Sequence, residues 1–464
     1  MKKQLQRKYD GNIKSKAMIR QHSLRQVRQD LKQMKRISEL IDYIPERGIE
    51  WSAAGLLLIW SMTPLIVLLR LSWYNILLQI GFLGLLLGLA GGAKRIRYYT
   101  QHKDEWKHYL LNHLLPLFLL LLLFWSILSF LASDNHELSF YGDLYRSDGL
   151  LSYFAYAGIF TCGCLVKHIR PLKMILALFS VAAAILSLLI LIDSQPVNRL
   201  LLLHKDAAVF YNTNHFGYYA CLAIMCSLLL WMTESKSLFR QIFWLTTLGI
   251  LTAALVKNAS LGPYLAVLVG LTISFVLILW LKRTQARRFL VAAAIFFLAS
   301  GITDAQSGKL LHDFLQLFTD TSSIANGSEN ADQAGSGRWR LWLAGLRFTA
   351  EKPLFGYGPD NLGKRYLDLG IQIDRPHNEL IQIAASLGVP ALLFYLSALT
   401  AHLAAFFRKR KQLTMVVIGL CGALLTYFVS SLFGNTMYYT TPFFLMVLGL
   451  SNGMLQPASD ALGE

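Results

Sequence analysis

The chain has 464 residues, of which 55% are hydrophobic, and its mean hydropathy is +0.44. Several stretches are apolar for about 20 residues, the length that crosses a bilayer, so the composition excludes a soluble enzyme. It predicts an all-α, polytopic membrane helical bundle with the lipid bilayer as its surroundings. The net charge of +17 does not imply a nucleic-acid partner, because excess Lys and Arg in membrane proteins collect in cytoplasmic loops.

The first segment, residues 1–50, is a basic arm with no apolar core that would indicate a cleavable signal peptide. Its apolar residues fall on one helical face and predict an amphipathic helix on the anionic inner leaflet. A short partner-binding helix is the alternative. The residues of that face are Leu24, Val27, Leu31, Met34 and Ile41.

Hydropathy then predicts about twelve membrane spans: nine within residues 51–302 and three within residues 378–455. A short tail, residues 456–464, follows the last span. The predicted spans are 51–70, 72–92, 109–131, 149–166, 172–192, 210–232, 241–256, 261–281, 289–302, 378–407, 413–433 and 438–454.

Charge predicts the orientation of these spans. Alternate loops are basic, as at Lys94–Arg97, Lys167–Lys173 and Arg408–Lys411, whereas the loop from Asp134 to Asp148 is acidic. Basic loops stay in the cytoplasm. The pattern predicts a multi-pass protein of the cell (plasma) membrane with cytoplasmic N- and C-termini and a long extracytoplasmic loop, residues 303–377, between spans 9 and 10.

This long loop of about 70 residues exceeds ordinary connections and predicts a functional or disordered segment. Apolar residues from Leu310 to Phe318 indicate a short amphipathic helix, and Asp320–Gly337 is polar. Arg338–Thr349 is predicted as a helix that begins near Ser336 or Gly337, and Asn361–Leu369 as another short helix. The glycines Gly356, Gly358 and Gly363 permit tight turns or close backbone approach.

His377 is predicted just before the N-terminus of a membrane helix, where the helix dipole disfavours the imidazolium. A neutral imidazole can act as a general base. The alternative is a surface histidine that only caps the helix. Arg338 and Arg340 lie near another helix N-terminus, a position that favours phosphate, with lipid headgroups as the alternative ligand. Arg375 adds to the positive field beside them.

Two further polar sites are predicted on the same side of the membrane. Asn212 and Asn214 stand at the mouth of the sixth span, where a substrate contact and a capped helix start are both consistent with the sequence. Lys257 lies in a tight turn and could contact an anionic headgroup.

These segments resemble the O-antigen ligase and polymerase family of bacterial membrane glycosyltransferases. The resemblance rests on Asn212-x-Asn214-x-x-Gly217, Gly337-Arg-Trp-x-x-Trp342, Pro353-Leu-Phe-Gly-x-Gly358 and His377-Asn-Glu379 with Gly388-Val-Pro390. It implies transfer or polymerisation of an undecaprenyl-diphosphate-linked glycan donor onto a hydroxyl of a glycan acceptor, in cell-surface polysaccharide biosynthesis. It also implies no metal and no other cofactor.

Carried over by position, Arg338 would hold the diphosphate and His377 would activate the acceptor hydroxyl. Substrate-binding roles fall on Arg340, Lys257, Asn212, Asn214 and Arg375. One departure concerns Ser260-Leu-Gly262, where family ligases often have an arginine in place of the leucine; Lys257 is the expected substitute. Polymerase and ligase remain open, and the alternatives are a transporter related to the family and a peptidoglycan-type glycan polymerase.

Overall fold

The computed structural model of the protein describes residues 45–101, 110–234, 237–326 and 334–456. Within these residues the chain forms α-helices and short 3₁₀ turns, with no β-strand. The all-α prediction is therefore confirmed. The predicted amphipathic helix of the basic arm and most of the predicted tail lie outside the described residues.

Eighteen α-helices are numbered here in chain order among the described residues. The first nine are α1 (Glu46–Ile66), α2 (Trp73–Gln101), α3 (Leu114–Leu131), α4 (His136–Tyr141), α5 (Leu150–Leu165), α6 (Ile169–Ile192), α7 (Gln195–Leu201), α8 (Thr213–Thr233) and α9 (Leu238–Asn258). The others are α10 (Leu261–Leu281), α11 (Ala286–Ser307), α12 (Lys309–Ala325), α13 (Arg338–Glu351), α14 (Gly363–Asp368), α15 (Glu379–Leu387), α16 (Val389–Arg408), α17 (Met415–Ser431) and α18 (Thr441–Leu455).

Nine helical segments in the described part of the chain are long and apolar enough to cross a membrane: α1, α2, α3, α6, α8, α9, α10, α11 and α16. Three shorter apolar helices, α5, α17 and α18, fall within the fourth, eleventh and twelfth predicted spans. The polytopic bundle is confirmed, and the count of twelve depends on these three. Helix α8 is the most enclosed span, with 94% of its apolar window buried, so it lies at the centre of the bundle.

The tenth predicted span, residues 378–407, is not one continuous helix. It breaks at Gly388, whose φ of 91° ends α15 and starts α16. Helix α16 is long enough to cross the membrane alone, so the break lies at its N-terminal end and α15 belongs to the long loop. His377 therefore precedes a short loop helix rather than a membrane span, which corrects the prediction.

The long loop has a small apolar core of its own, built from α13, α14 and α15. Its buried members are Leu341, Ala344, Phe348, Tyr357, Leu362, Tyr366, Ile371 and Ala385. The predicted helices at 310–318, 338–349 and 361–369 are confirmed as α12, α13 and α14, with Gly337 as the N-cap of α13. From residue 334 onwards the loop is thus a folded unit. Part of its polar run, residues 327–333, lies outside the described residues.

Candidate functional site

The candidate site lies where several connections meet at one end of the bundle, which we call the loop face. Among the described residues it carries 132–149, 193–212, 259–260, 308–326, 334–388 and 432–440. The first of these connections, residues 132–149, packs against the long loop: the Asp134 carboxylate lies 3.0 Å from Lys352 Nζ and 3.2 Å from an Arg365 nitrogen. The connection 132–149, which the sequence analysis identified only as an acidic loop, therefore forms part of the wall of the site.

Arg338 is the first residue of α13. The preceding residues Gly335, Ser336 and Gly337 all have positive φ, and no side chain caps this end of the helix. Among the described residues no carboxylate or other hydrogen-bond partner engages the Arg338 guanidinium. The N–H groups of Arg338 and Trp339 already bond to the carbonyls of Gly335 and Ala334, so the Arg338 guanidinium, rather than open backbone donors, makes this helix end suited to an anion.

One turn further along α13, Trp342 packs against Phe433, with ring centroids 6.3 Å apart. Its indole N–H is buried and has no partner among the described residues. The carbonyl of Phe433 accepts a hydrogen bond from Tyr218 at 2.6 Å. The predicted motif around Arg338 is thereby joined to the N-terminal part of α8 and to the connection 432–440.

His377 lies at the centre of this positive region and is half-buried. Its φ is 52°, a strained value for a residue other than glycine. Burial, together with the charges of Arg338 and Arg146, lowers the pKa of His377 to about 4. The imidazole is therefore neutral at neutral pH, as expected from the sequence. The physical cause differs, because burial and two arginines replace the helix dipole of the prediction.

Sequence reasoning missed Arg146, which belongs to the connection 132–149 and is 6% exposed. It binds Asp374 through two parallel hydrogen bonds of 2.8 Å. Burial favours a raised pKa at Asp374, but the bonds and charge of Arg146 outweigh it and lower the pKa to about 2. A long-range pair between residues 146 and 374 leaves no local pattern, so no signal in the sequence identified it.

His215 also joins the site, near the N-terminus of α8. Arg146 donates to its Nε2 at 3.4 Å, so the proton of the neutral ring is on Nδ1 and is donated to the Tyr439 hydroxyl at 2.6 Å. The sequence contained a signal here, because His215 stands between Asn214 and Gly217 in one of the family motifs. The sequence analysis assigned substrate binding to the two asparagines of that motif, Asn212 and Asn214, and not to His215.

Arg375 is placed differently from the prediction. Its side chain is 2% exposed and lies among three carboxylates. It donates to Asp148 at 3.2 Å, forms a short pair with Asp360, and has Asp374 at 3.7 Å. Its remaining bond goes to the carbonyl of Thr436. This matched charge favours a structural role that ties the long loop to the connections 132–149 and 432–440.

Arg340 and Lys257 do not join the cluster around His377. Arg340 is exposed and donates to the carbonyl of Leu369 at 3.4 Å. Lys257 donates to the carbonyls of Ile190 and Leu191 at the C-terminus of α6, at 2.8 and 3.2 Å. Cations stabilise helix C-termini, so this placement gives Lys257 a structural contact, and substrate binding by either residue stays a prediction.

Asn212 is the N-cap of α8, with its side-chain oxygen accepting from the backbone N–H of Asn214 at 2.8 Å. This is the capped helix start that the sequence left open beside a substrate contact. Asn214 is half-buried. The structure brings both residues to the loop face, and a direct substrate contact by them stays a prediction.

The glycine-rich turn of the long loop shapes the site indirectly. Gly356 and Gly358 have φ values of 64° and 99°, as the prediction of tight turns requires. A Cβ on Gly356 would lie 2.4 Å from the carbonyl oxygen of Ser386. The N–H groups of Tyr357 and Gly358 bond the last carbonyls of α15, Ala385 and Ser386. This turn fixes α15, and α15 follows His377 directly.

The loop face thus presents an arginine with no partner among the described residues, a neutral histidine and a partly buried Arg146–Asp374 pair above an apolar helical bundle. Such a site can bind an anionic group and accept a proton from a hydroxyl. These features define a polytopic membrane protein whose polar site lies at one membrane face.

Comparison with known families agrees with this class. Residues 246–396, about one third of the chain, match the O-antigen ligase family. The match includes Lys257, the whole long loop and His377, and it supports membership of the O-antigen ligase family, as the motifs predicted. It also supports, in general terms, a membrane glycosyltransferase-like ligase that acts on glycans in a membrane environment. No curated protein matches the chain.

Proposed function

We propose that the protein transfers or polymerises a glycan carried on undecaprenyl diphosphate, at the outer face of the plasma membrane, onto a hydroxyl of an acceptor glycan. The observation that carries this proposal is the Arg338 guanidinium, which has no partner among the described residues and lies at a helix N-terminus near the neutral His377. The family match supports the same class of reaction.

In the proposed step, the acceptor oxygen forms a bond to the anomeric carbon of the donor sugar. The bond between that carbon and the diphosphate oxygen breaks, and the lipid diphosphate leaves with the bonding electron pair. Nε2 of His377 takes the proton of the acceptor hydroxyl. Arg338 stabilises the charge on the departing diphosphate. Side chains, rather than a metal ion, carry both the proton and the charge.

Arg146 has a supporting role in this proposal. Its charge is largely balanced by Asp374, so it is a weaker phosphate ligand than Arg338. It nevertheless adds to the positive field at His377, which keeps the imidazole unprotonated and able to act as a base. Family ligases often have an arginine at the position of Leu261. In this proposal Arg146, from a different segment of the chain, replaces part of its positive charge.

The test is an analysis of surface glycan in cells that carry Arg338→Ala or His377→Ala at normal protein level. Loss of either group from the reaction is expected to lower the rate by about 100-fold or more. Arg347→Ala is the matched control, because Arg347 lies on the same helix, is exposed and pairs with Glu351 at 2.9 Å. Its glycan should be unchanged.

The products distinguish the candidate activities. Accumulated lipid-linked glycan in the two variants supports a transferase. A single repeat unit on the acceptor indicates a polymerase, whereas full-length unattached chains indicate a ligase. Unchanged chain length and attachment in both variants would exclude the transferase assignment and favour a transporter.

The proposal also places the loop face outside the plasma membrane and both termini in the cytoplasm. In intact cells, after removal of any outer barrier, a cysteine introduced as Asn326→Cys should react with an impermeant thiol reagent. Gln412→Cys, exposed on the opposite face, should react only after lysis. Background is low, because four of the five native cysteines are buried. The reverse labelling pattern would overturn the orientation.

A further inference from the structure

Asn435 contacts the histidine of the site, yet no motif in the sequence indicated it. It lies in the connection 432–440 between α17 and α18 and is 3% exposed. Its side-chain nitrogen is 3.2 Å from Nδ1 of His377. Its side-chain oxygen is buried and has no partner among the described residues.

The backbone on both sides of Asn435 is fixed. Tyr218 holds the carbonyl of Phe433, two residues before it. On the other side, the Thr436 carbonyl accepts from Arg375, and its hydroxyl donates to Asp148 at 2.8 Å. The carboxamide is therefore held at a defined position against the imidazole.

The backbone of His377 is equally constrained. Its φ of 52° is strained, and the residue stands in the chain between the buried Arg375 and the N-cap residue Asn378. The side chain of Asn378 accepts hydrogen bonds from the N–H groups of Leu380 and Ile381 at 3.1 Å. A strained residue persists only where its surroundings determine its conformation. With Nδ1 directed at Asn435, the other nitrogen, Nε2, has no partner among the described residues.

A carboxamide can form a hydrogen bond to Nδ1 of an imidazole in both its neutral and its protonated state. When its N–H donates to Nδ1, the ring proton is on Nε2; when it rotates by 180°, Oδ1 accepts from Nδ1–H and the Nε2 lone pair is free. Both arrangements keep one hydrogen bond to the ring. A ring protonated at both nitrogens can bond only to Oδ1, and that bond is strengthened by the charge.

We propose that Asn435 is a positioning residue for His377. Its carboxamide rotates from the observed arrangement, in which its nitrogen faces Nδ1, so that its oxygen holds the ring proton on Nδ1 while Nε2 accepts the proton of the acceptor hydroxyl. This inference rests on the proposed function, in which His377 is the base. An amide also supplies this orientation without the negative charge of a carboxylate, so the ring stays neutral between turnovers.

The effect of a substitution at Asn435 on the pKa of His377 depends on the charged residues around the ring. They are Arg338 from α13, Arg146 from the connection 132–149, Asp374 and Arg375 from its own segment, and the ring of His215 from α8. In Asn435→Asp the three arginines keep the new carboxylate ionised. A carboxylate against Nδ1 favours the imidazolium and raises its pKa, by about one pH unit or more.

The experiment uses the full-length protein in lipid bilayers, labelled with ¹⁵N-histidine and followed by solid-state NMR as pH is varied. Ring nitrogen shifts distinguish bare, protonated and hydrogen-bonded nitrogens, and subtraction of the His377→Gln spectrum identifies the signals of His377. Asn435→Asp should move its titration upward by about one pH unit or more. Asn435→Ala should abolish the preference for one tautomer.

Asn452→Ala is the matched control, because Asn452 is also buried but lies near the far end of α18 and contacts Cys164. It should leave the His377 signals unchanged. A titration of His377 that is the same in wild type and in Asn435→Asp would overturn the positioning role. Asn435→Asp is nearly isosteric, and its thermal unfolding is measured in parallel to show that it folds.

A surface-glycan assay separates this inference from the proposed function. Normal glycan in His377→Gln cells refutes the transferase proposal whatever the NMR result. If His377→Gln abolishes glycan transfer, Asn435→Asp should lose transfer at a higher pH than wild type. An unchanged pH profile in Asn435→Asp would again overturn the role of Asn435.

Discussion

Two arginines of the long loop, Arg338 and Arg375, have opposite surroundings. Arg375 is buried and contacts three carboxylates. Arg338 lies at a helix N-terminus that no side chain caps and has no carboxylate partner among the described residues. A matched buried charge contributes to the assembly of the loop. An unmatched charge at a helix N-terminus is available to an anion. Charge balance, rather than residue type or motif, therefore separates the structural arginine from the candidate functional one.

The largest effect is expected at the matched arginine. Arg375→Ala leaves Asp148 and Asp360 buried without their partner, which should destabilise the fold by about 3–5 kcal/mol. Thermal unfolding of the purified protein in detergent measures this, and glycan should be lost because folded protein is lost. A variant of unchanged stability would show that the ionic cluster does not hold the loop.

At the unmatched arginine the effect is expected on the reaction and not on the fold. Arg338→Ala should lower the rate of transfer by about 100- to 1,000-fold. Its stability should stay within about 0.5 kcal/mol of wild type, because no described hydrogen bond or ion pair is lost. Transfer rate and stability should be measured for both Arg338→Ala and Arg375→Ala. If both variants lose transfer and stability to the same extent, the distinction between a structural and a functional arginine fails.

A smaller effect concerns pH. In the proposed mechanism the neutral imidazole is the active form, so transfer should persist above the His377 pKa of about 4 and be lost as pH falls through it. Removal of the Arg338 charge raises this pKa, so the residual activity of Arg338→Ala should fail at a higher pH than that of wild type. The pH dependence of transfer in isolated membranes checks both statements. An acidic limb at the same pH in both proteins would contradict them.

The smallest effect is expected at Lys257. Its contacts with the carbonyls of Ile190 and Leu191 indicate that Lys257→Ala costs less than about 1 kcal/mol. Transfer should change by less than about twofold, within the range of ordinary surface substitutions. A loss of transfer as large as that of Arg338→Ala would restore Lys257 as the second phosphate ligand.

Much of the fold could be predicted from the sequence, because a membrane span is a local property. Apolar runs identified the bundle, and local patterns identified α12, α13 and α14 in the long loop. The break at Gly388 was missed. Hydropathy is similar on both sides of it, and the break depends on the turn at Pro353–Gly358 that packs against it.

The candidate site could be predicted only in part. Arg338 and His377 stand in local motifs, and the structure brings them to one region of the loop face. Arg146, Asp148 and Asn435 act through partners more than 50 residues away, so no local spacing marks them. Arg375 was assigned to substrate for a related reason, since its burial against Asp148 depends on a partner 227 residues away.

The position of Asn435 has a consequence for biosynthesis. The ring of His377 acquires its partner only from the connection that joins the last two apolar helices, α17 and α18. During synthesis, every earlier helix can therefore enter the bilayer before the site is complete. A chain that stalls before residue 435 would carry Arg338 and His377 without the Asn435 contact, so under the proposed function it would lack a properly oriented base.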